Sequence, residues 1–394
     1  MTRILWLSPF CPYDRVKHGG GQNFNYVLKY IHKIKDIEIN VVAFALAKEI
    51  EESDLGMYEI SNRLIEYNPR SIGVRLSKAI DCLAIWKYGG AVNGYRKRGL
   101  FAQLNAYKEY CPNIIITHWT EFALLIPEIK KIFPDCKYVA YEEDVSFLGY
   151  YRKYEKAKGI WKLYRRLRYN ALKRSELNAL KVADSIAVLN KKDSDLLIDN
   201  GVDAKKIVIV PAYYHHYYDA EYSPNKYDLL FWGAMSRAEN YLSAIWFIDN
   251  VLPLLDDKFR FIVVGKDPAK ELILRQCERV QVIGEVNDVK PYFENSLCLV
   301  APLLLGAGIK IKVLEALSAG LPVLTNSIGE EGIGLTDKEH YLHCESAEDY
   351  FSGIMLLNND IQLRKKLSLN GRNYVMAHYD IDLGINKLVE EIIR

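Results

Sequence analysis

LVAPLLLGAGIKIKVLEALSAGLPVLTNSIGEE, residues 299–331, is where the chain shows its chemistry. The apolar run at 297–303 is short and continuous, as in a buried strand. Gly306 and Gly308 follow at once. Lys312, Leu314, Ala316, Leu317 and Ala319 then fall at helical spacing, and Gly320 and Pro322 supply a stop. A second apolar run, 321–325, starts another strand. Strand, glycine turn, helix and strand make one βαβ unit. Its helix N-terminus presents backbone N–H groups, which suits a phosphate.

The side chains narrow this reading. Lys310 and Lys312 fall in the first helical turn, where positive charge opposes the helix dipole and makes sense beside an anion. Glu315 follows Lys312 by three positions, so both project to one side. A carboxylate is repelled by phosphate but accepts hydrogen bonds from the two hydroxyls of a ribose. Phosphate site, cation and diol acceptor together describe a nucleoside diphosphate. A plain helix with a solvated Lys–Glu face has the same spacing, and both readings stand at this point.

GAGIKIKVLEALSAGLPVL, residues 306–324, resembles the donor-binding segment of GT-B glycosyltransferases, closest to the group that includes glycosyltransferase family 4, also called group 1. The resemblance extends over 229–253 and 261–284, and more weakly over the N-terminal half. Many members carry two glutamates seven residues apart. Glu315 matches the second; Ala307 stands at the first, as in a subset with Gly-Ala-Gly there. The resemblance implies an α/β chain of GT-B type, with two Rossmann-like doubly wound domains facing across a cleft. Residues 1–213 would bind the acceptor, with the C-terminal helix 376–394 packing back on them. Residues 214–375 would bind the nucleotide sugar.

Composition allows this. The 394 residues suffice for two domains, and 50% are apolar. A formal net charge of +2 excludes a global polyelectrolyte. Seven scattered cysteines without a Cys-x-x-Cys pair read as buried free thiols in a reducing cytosol, not as a zinc or disulfide framework. The first twelve residues read as a strand rather than a signal peptide, and no apolar run reaches the ~18 residues of a spanning helix. The expected location is cytoplasmic, with peripheral attachment to the inner face of a membrane as an option. No internal repeat is visible.

In chain order, 4–10 reads as a first strand. A loop with His18, Gly19, Gly20 and Gly21 follows, then a helix from about Asn23. The resemblance puts Gly20 and Gly21 near the donor phosphates; a structural turn is the alternative. Residues 40–46 read as a second strand, and 55–99 give a helix or two. His118 and the acids Glu142, Glu143 and Asp144 each follow a strand, at the sheet edge where α/β proteins bind ligands. The acids can supply a general base or hold acceptor hydroxyls; a helix N-terminus also favours acids. The resemblance has a histidine near position 118 on the donor sugar; a packed core residue beside Trp119 is the alternative. Residues 152–174 hold ten basic residues against one acid, Glu155, with aromatics interleaved. This reads as one basic helix for an anionic membrane surface or as a solvated face; nucleic acid lacks a motif.

Residues 211–226 read as the interdomain linker. A new strand at 227–232 ends in Gly233, and a helix runs to about Leu254. The resemblance puts a basic residue of this loop, here Arg237, on the diphosphate, which guanidinium can grip with two bonds. The edge at 283–285 would read the base, so Ile283 joins the donor set with Gly233, Gly306, Ala307, Gly308, Ile309, Lys310, Lys312 and Glu315. Residues 341–346 read as a last strand and 347–376 as two helices.

The expected reaction is transfer of a sugar from a UDP- or GDP-sugar to a glycan, lipid-linked or other hydroxyl acceptor in bacterial surface polysaccharide or glycoconjugate synthesis. His118, Glu143, Asp144, Arg237 and Lys312 are the catalytic candidates, and the cations make a metal or other cofactor unnecessary. A nucleotide-sugar epimerase and a silent nucleotide-binding partner subunit are the alternatives. A dehydrogenase is disfavoured, because Ile311 stands where a third glycine belongs.

Overall fold

The computed structural model describes residues 1–16, 18–305 and 308–393, Lys226 by its backbone alone. The chain forms two compact units, 1–213 with 381–394, and 214–380.

Unit 1 is built on β1 (Thr2–Ser8), β2 (Ile37–Ala45), β3 (Ser61–Glu66), β4 (Ile114–His118), β5 (Lys137–Glu142), β6 (Ser185–Val188) and β7 (Ile207–Ile209). They pair in parallel in the order β3-β2-β1-β4-β5-β6-β7. Unit 2 contains β8 (Asn225–Trp232), β9 (Arg260–Val264), β10 (Val280–Gly284), β11 (Ser296–Ala301), β12 (Val323–Thr325) and β13 (Leu342–His343), in the order β10-β9-β8-β11-β12-β13. In both sheets the strand order reverses between the first and fourth strands in sequence, and the crevice outside those carboxyl ends is the ligand position of doubly wound folds. The middles of the central strands are apolar because each is covered on both faces; Leu229, Leu230, Leu299 and Val300 are buried.

Among the helices are α1 (Gly19–His32), α2 (Ile72–Leu83), α3 (Gly94–Leu104), α4 (Ser146–Glu155), α5 (Gly159–Val182), α6 (Ala238–Asn250), α7 (Ile311–Ser318), α8 (Ala347–Asn359), α9 (Ile361–His378) and α10 (Ile381–Ile393). Several differ from the sequence reading. α1 begins at Gly19, not near Asn23, so the glycines lie inside its first turn; His18 is the cap, its ring nitrogen accepting from Gly21 N–H at 3.0 Å. α6 stops at Asn250, and a separate turn holds 252–254. The basic stretch 152–174 is not one helix: Gly159, with φ +56°, starts α5 after α4 has ended. The edge strand β3 is absent from the sequence reading, and the final strand is only Leu342–His343. All seven cysteines are free, but Cys111 and Cys277 are exposed rather than buried.

α10 packs within unit 1. Tyr26 donates to Asp382 at 2.7 Å, and a Cβ on Gly384 would lie 2.6 Å from Pro211. α9 stays in unit 2 through His378, so the return to unit 1 begins at Ile381 and not at 376.

Candidate functional sites of the two units

In unit 1 the switch point gathers a buried polar chain. His118 ends β4 and is fully buried. Trp6 of β1 donates its indole N–H to His118 Nδ1 at 3.3 Å. Nδ1 is therefore an acceptor, so the neutral imidazole carries its proton on Nε2, which donates to Glu143 Oε1 at 2.8 Å. Burial pushes His118 well below its usual range, which agrees with the neutral ring. Asn23 of α1 also donates to Glu143 Oε1, at 2.9 Å. Tyr141 stacks on the imidazole at 4.4 Å between centroids.

The helix glycines belong to this construction. A Cβ on Gly20 would stand 3.2 Å from both Glu143 Oε2 and the Trp119 ring, so Gly20 lets α1 approach the site. Gly21 faces Val16 and His18 instead. Trp119, next to His118, has φ +63°, an unfavourable conformation for a bulky residue and the kind of strain found at functional positions.

The three acids separate. Glu142 turns to Thr120 Oγ1, Glu143 turns to His118, and only Asp144 is exposed. Burial pushes the Glu143 carboxyl up to about 8. Folding then raises its proton affinity, so its contribution to stability is fully present below pH 4.5 and is lost as pH rises through about 8. Glu143→Gln is expected to flatten part of this slope, at most ~1.4 kcal/mol per pH unit for one proton. Urea melts of both proteins at pH 5 and pH 8 check it; parallel curves would contradict the assignment.

In unit 2 the site forms around the end of β8. Gly233 has φ +148°, and a Cβ there would meet Lys312 Nζ and Asn240 Nδ2, each at 3.0 Å. Lys312, in the first turn of α7, donates to Asn240 Oδ1 and sits 4.7 Å from the Phe231 ring centroid. Asn240, in the first turn of α6, donates to Ala234 O at 2.8 Å. The ammonium is thus aimed at the backbone turn by a neutral partner. Burial pushes Lys312 down to about 7, while Glu239 opposes that shift and Arg237 adds to it.

Glu315 lies one turn further along α7. Trp232 Nε1 donates to its Oε2 at 2.7 Å, and burial pushes the carboxyl up to about 7. Lys310 is the α7 N-cap; it is buried, its ammonium donating to Gly308 O at 2.5 Å. Arg237 caps α6, is exposed and pairs with Glu239. Gly308 has φ +69° and is buried, whereas Ile309 is half-buried. Ile283 is exposed on β10, separated from β8 by β9. Gly306 and Ala307 lie outside the described residues.

Lys312, Gly233, Arg237 and Glu315 therefore come together, and Ile283 stands apart. Trp232, Asn240, Asn23 and Trp6 were missed from sequence. Asn240 ends the quoted 233–240 loop and Trp232 ends a strand, but nothing local says which side chain each meets.

Residues 226–360 match the family model described as Glycosyl transferases group 1. Solved structures with the same fold include HepE from Anabaena in complex with UDP, 13% identical with a TM-score of 0.65 over 99% of both chains. The sucrose-phosphate synthase of Thermosynechococcus elongatus is 14% identical with a TM-score of 0.67, covering 100% of this chain and 99% of that one. The fold is GT-B, that of group 1 glycosyltransferases. At these identities the structural likeness speaks for the fold. A curated relative from Klebsiella pneumoniae, an uncharacterized 44.6 kDa protein in the cps region, is 21% identical over 183 residues, 43% of this chain. The match spans about half of that relative, 47% of its length. Within the GT-B chain, Lys312 and Glu315 lie inside the segment matched by the group 1 model.

Proposed function

We propose that this GT-B protein transfers a sugar from a nucleoside diphosphate sugar to a hydroxyl acceptor, with unit 2 holding the donor. The observation that carries the reading is Lys312, held by Asn240 against the positive-φ turn at Gly233 and beside the N-terminus of α7. The barrier lies in breaking the bond between anomeric carbon and phosphate as charge grows on the leaving diphosphate. Lys312, Arg237 and the α7 N–H groups are the stabilisers of that charge, without a metal. Glu315, oriented by Trp232, accepts from the ribose hydroxyls. His118 and Glu143 are proposed to serve the sugar, and Asp144 the acceptor. The HepE structures in complex with UDP and with UDP-glucose favour a uridine donor. The cps-region relative favours a surface glycan or its lipid-linked precursor as acceptor. The basic residues of 152–174 would face an anionic membrane surface from the cytoplasmic side.

A titration tests this directly. A bound donor raises the melting temperature by mass action, so UDP or a UDP-sugar should stabilise the protein. Because Lys312 is held near 7, binding of the diphosphate above that pH requires proton uptake. Affinity should fall as pH rises from 7 to 8.5, approaching tenfold per unit, the limit for one linked proton. Calorimetry in two buffers of different ionisation enthalpy reads the proton, and Lys312→Met should remove the dependence. Absence of any melting shift with uridine, guanosine, adenosine or thymidine diphosphates at millimolar concentration would overturn the donor-site reading.

A further inference from the structure

α2 is turned the wrong way round for a helix of a protein surrounded only by water. Val74 and Ser77 are its buried residues, and Asp81 ties it down by accepting from Gly94 N–H at 2.7 Å. Ile72, Leu76, Ile80 and Leu83 recur at i, i+4, i+8 and i+11, so they form one stripe. That stripe faces outward: these four and Trp86 just beyond are between 56% and 84% exposed.

The neighbouring surface continues the pattern. Tyr164 of α5 donates to Cys82 O at 3.0 Å, and Arg168 donates to Gly89 O at 2.8 Å, so the start of α5 abuts α2 and the turn after it. There Ile160, Trp161, Leu163 and Leu167 are between 49% and 80% exposed. Among the basic residues around the two stripes are Arg70, Arg75, Lys78, Lys87, Lys158 and Lys162; Asp81 is the one acid between residues 70 and 87.

We propose that α2 and the first turns of α5 form a membrane-inserting face that docks this protein on an anionic lipid surface. The occupant follows from charge and composition. The buried centre of a protein interface is depleted in lysine, whereas a lipid interface takes an apolar stripe with Trp at headgroup depth and Lys or Arg reaching phosphate. Among the described residues no helix is long and apolar enough to cross a membrane, so attachment by these helices is in the plane of the surface. This goes beyond electrostatic adsorption of the basic stretch, because the apolar side chains enter the acyl boundary. It deepens the membrane contact proposed above for residues 152–174 and rests on that part of the reading, so vesicle binding and donor binding can fail separately.

The test uses the full chain and vesicles of phosphatidylcholine with about 30% phosphatidylglycerol at ~0.15 M salt. The variant Ile72→Gln, Leu76→Gln, Ile80→Gln keeps the charge unchanged and alters only exposed positions. Its melting temperature should match that of the unaltered protein, and its partitioning onto the vesicles should weaken about tenfold or more. Brominated lipid should quench Trp fluorescence in the unaltered protein, and less so in Trp86→Phe. Unchanged partitioning of the triple variant would overturn the proposal, as would failure of the unaltered protein to bind the vesicles. So would light scattering that shows a dimer dispersed by the triple variant, since a second copy would then cover the face.

Discussion

Lys312→Ala lowers turnover about 10²–10³-fold, the range for losing one preorganised stabiliser of developing charge. The ammonium sits at hydrogen-bond distance from Asn240 Oδ1, next to the Gly233 turn, so a diphosphate there meets a cation already aimed. The loss should fall on kcat more than on KM, because the charge grows as the glycosidic bond breaks. Glu315→Gln should instead weaken donor affinity by ~1–3 kcal/mol, as when one partner of a charged hydrogen bond goes. Neither change should lower the melting temperature. Burial pushes Lys312 down to about 7, so removing it relieves a desolvation cost. Steady-state kinetics with melts of each variant decide the matter; folded variants with near-normal turnover and affinity would reduce α7 to a structural helix.

Gly265→Ala destabilises unit 2 severely. A Cβ at this position would lie 1.6 Å from the carbonyl oxygen of Gly233, and φ is +150°. The two backbones cannot separate freely. Gly233 N–H donates to Val264 O at 3.1 Å, and Gly265 N–H donates to Gly284 O at 2.8 Å. The expected loss is about 3–5 kcal/mol, a melting shift of roughly 6–20 °C for a unit of this size. Gly284→Ala is the comparison, since φ is +82° there but nothing stands within 4 Å of the added carbon. That variant should show backbone strain alone, ~1–3 kcal/mol. Equal losses for the two would mean that the close approach of Gly265 to Gly233 contributes nothing.

The two doubly wound sheets were legible because their central strands are buried on both faces, which leaves continuous apolar runs such as 114–117 and 297–303. β3, SNRLIE, escaped notice because it is an edge strand with mostly exposed side chains. The start of α1 is not legible in sequence because three glycines ordinarily read as a loop. Here they are helical, and glycine stands at 20 and 21 because side chains there would strike Glu143, Trp119, Val16 or His18. The site divides in the same way. Lys312 and Glu315 share a helix, so spacing revealed them as a pair. Their orienting partners lie 72 and 83 positions away, at Asn240 and Trp232, and only the sheet brings those together. The Trp6–His118 bond spans 112 positions and is invisible locally for the same reason.

α10 has a consequence for the order in which the molecule is made. Its buried residues, Ile385, Leu388, Val389 and Ile392, complete unit 1, whose seven strands are synthesised before any strand of unit 2. Domains generally fold as they emerge from the ribosome, the N-terminal one first. Here that order is inverted. Unit 2 has all its strands and helices once His378 has emerged, while the tyrosines of α1 and the face of β7 still await residues 381–393. The nascent first unit therefore waits, with an uncovered apolar face, through the synthesis of the whole second unit.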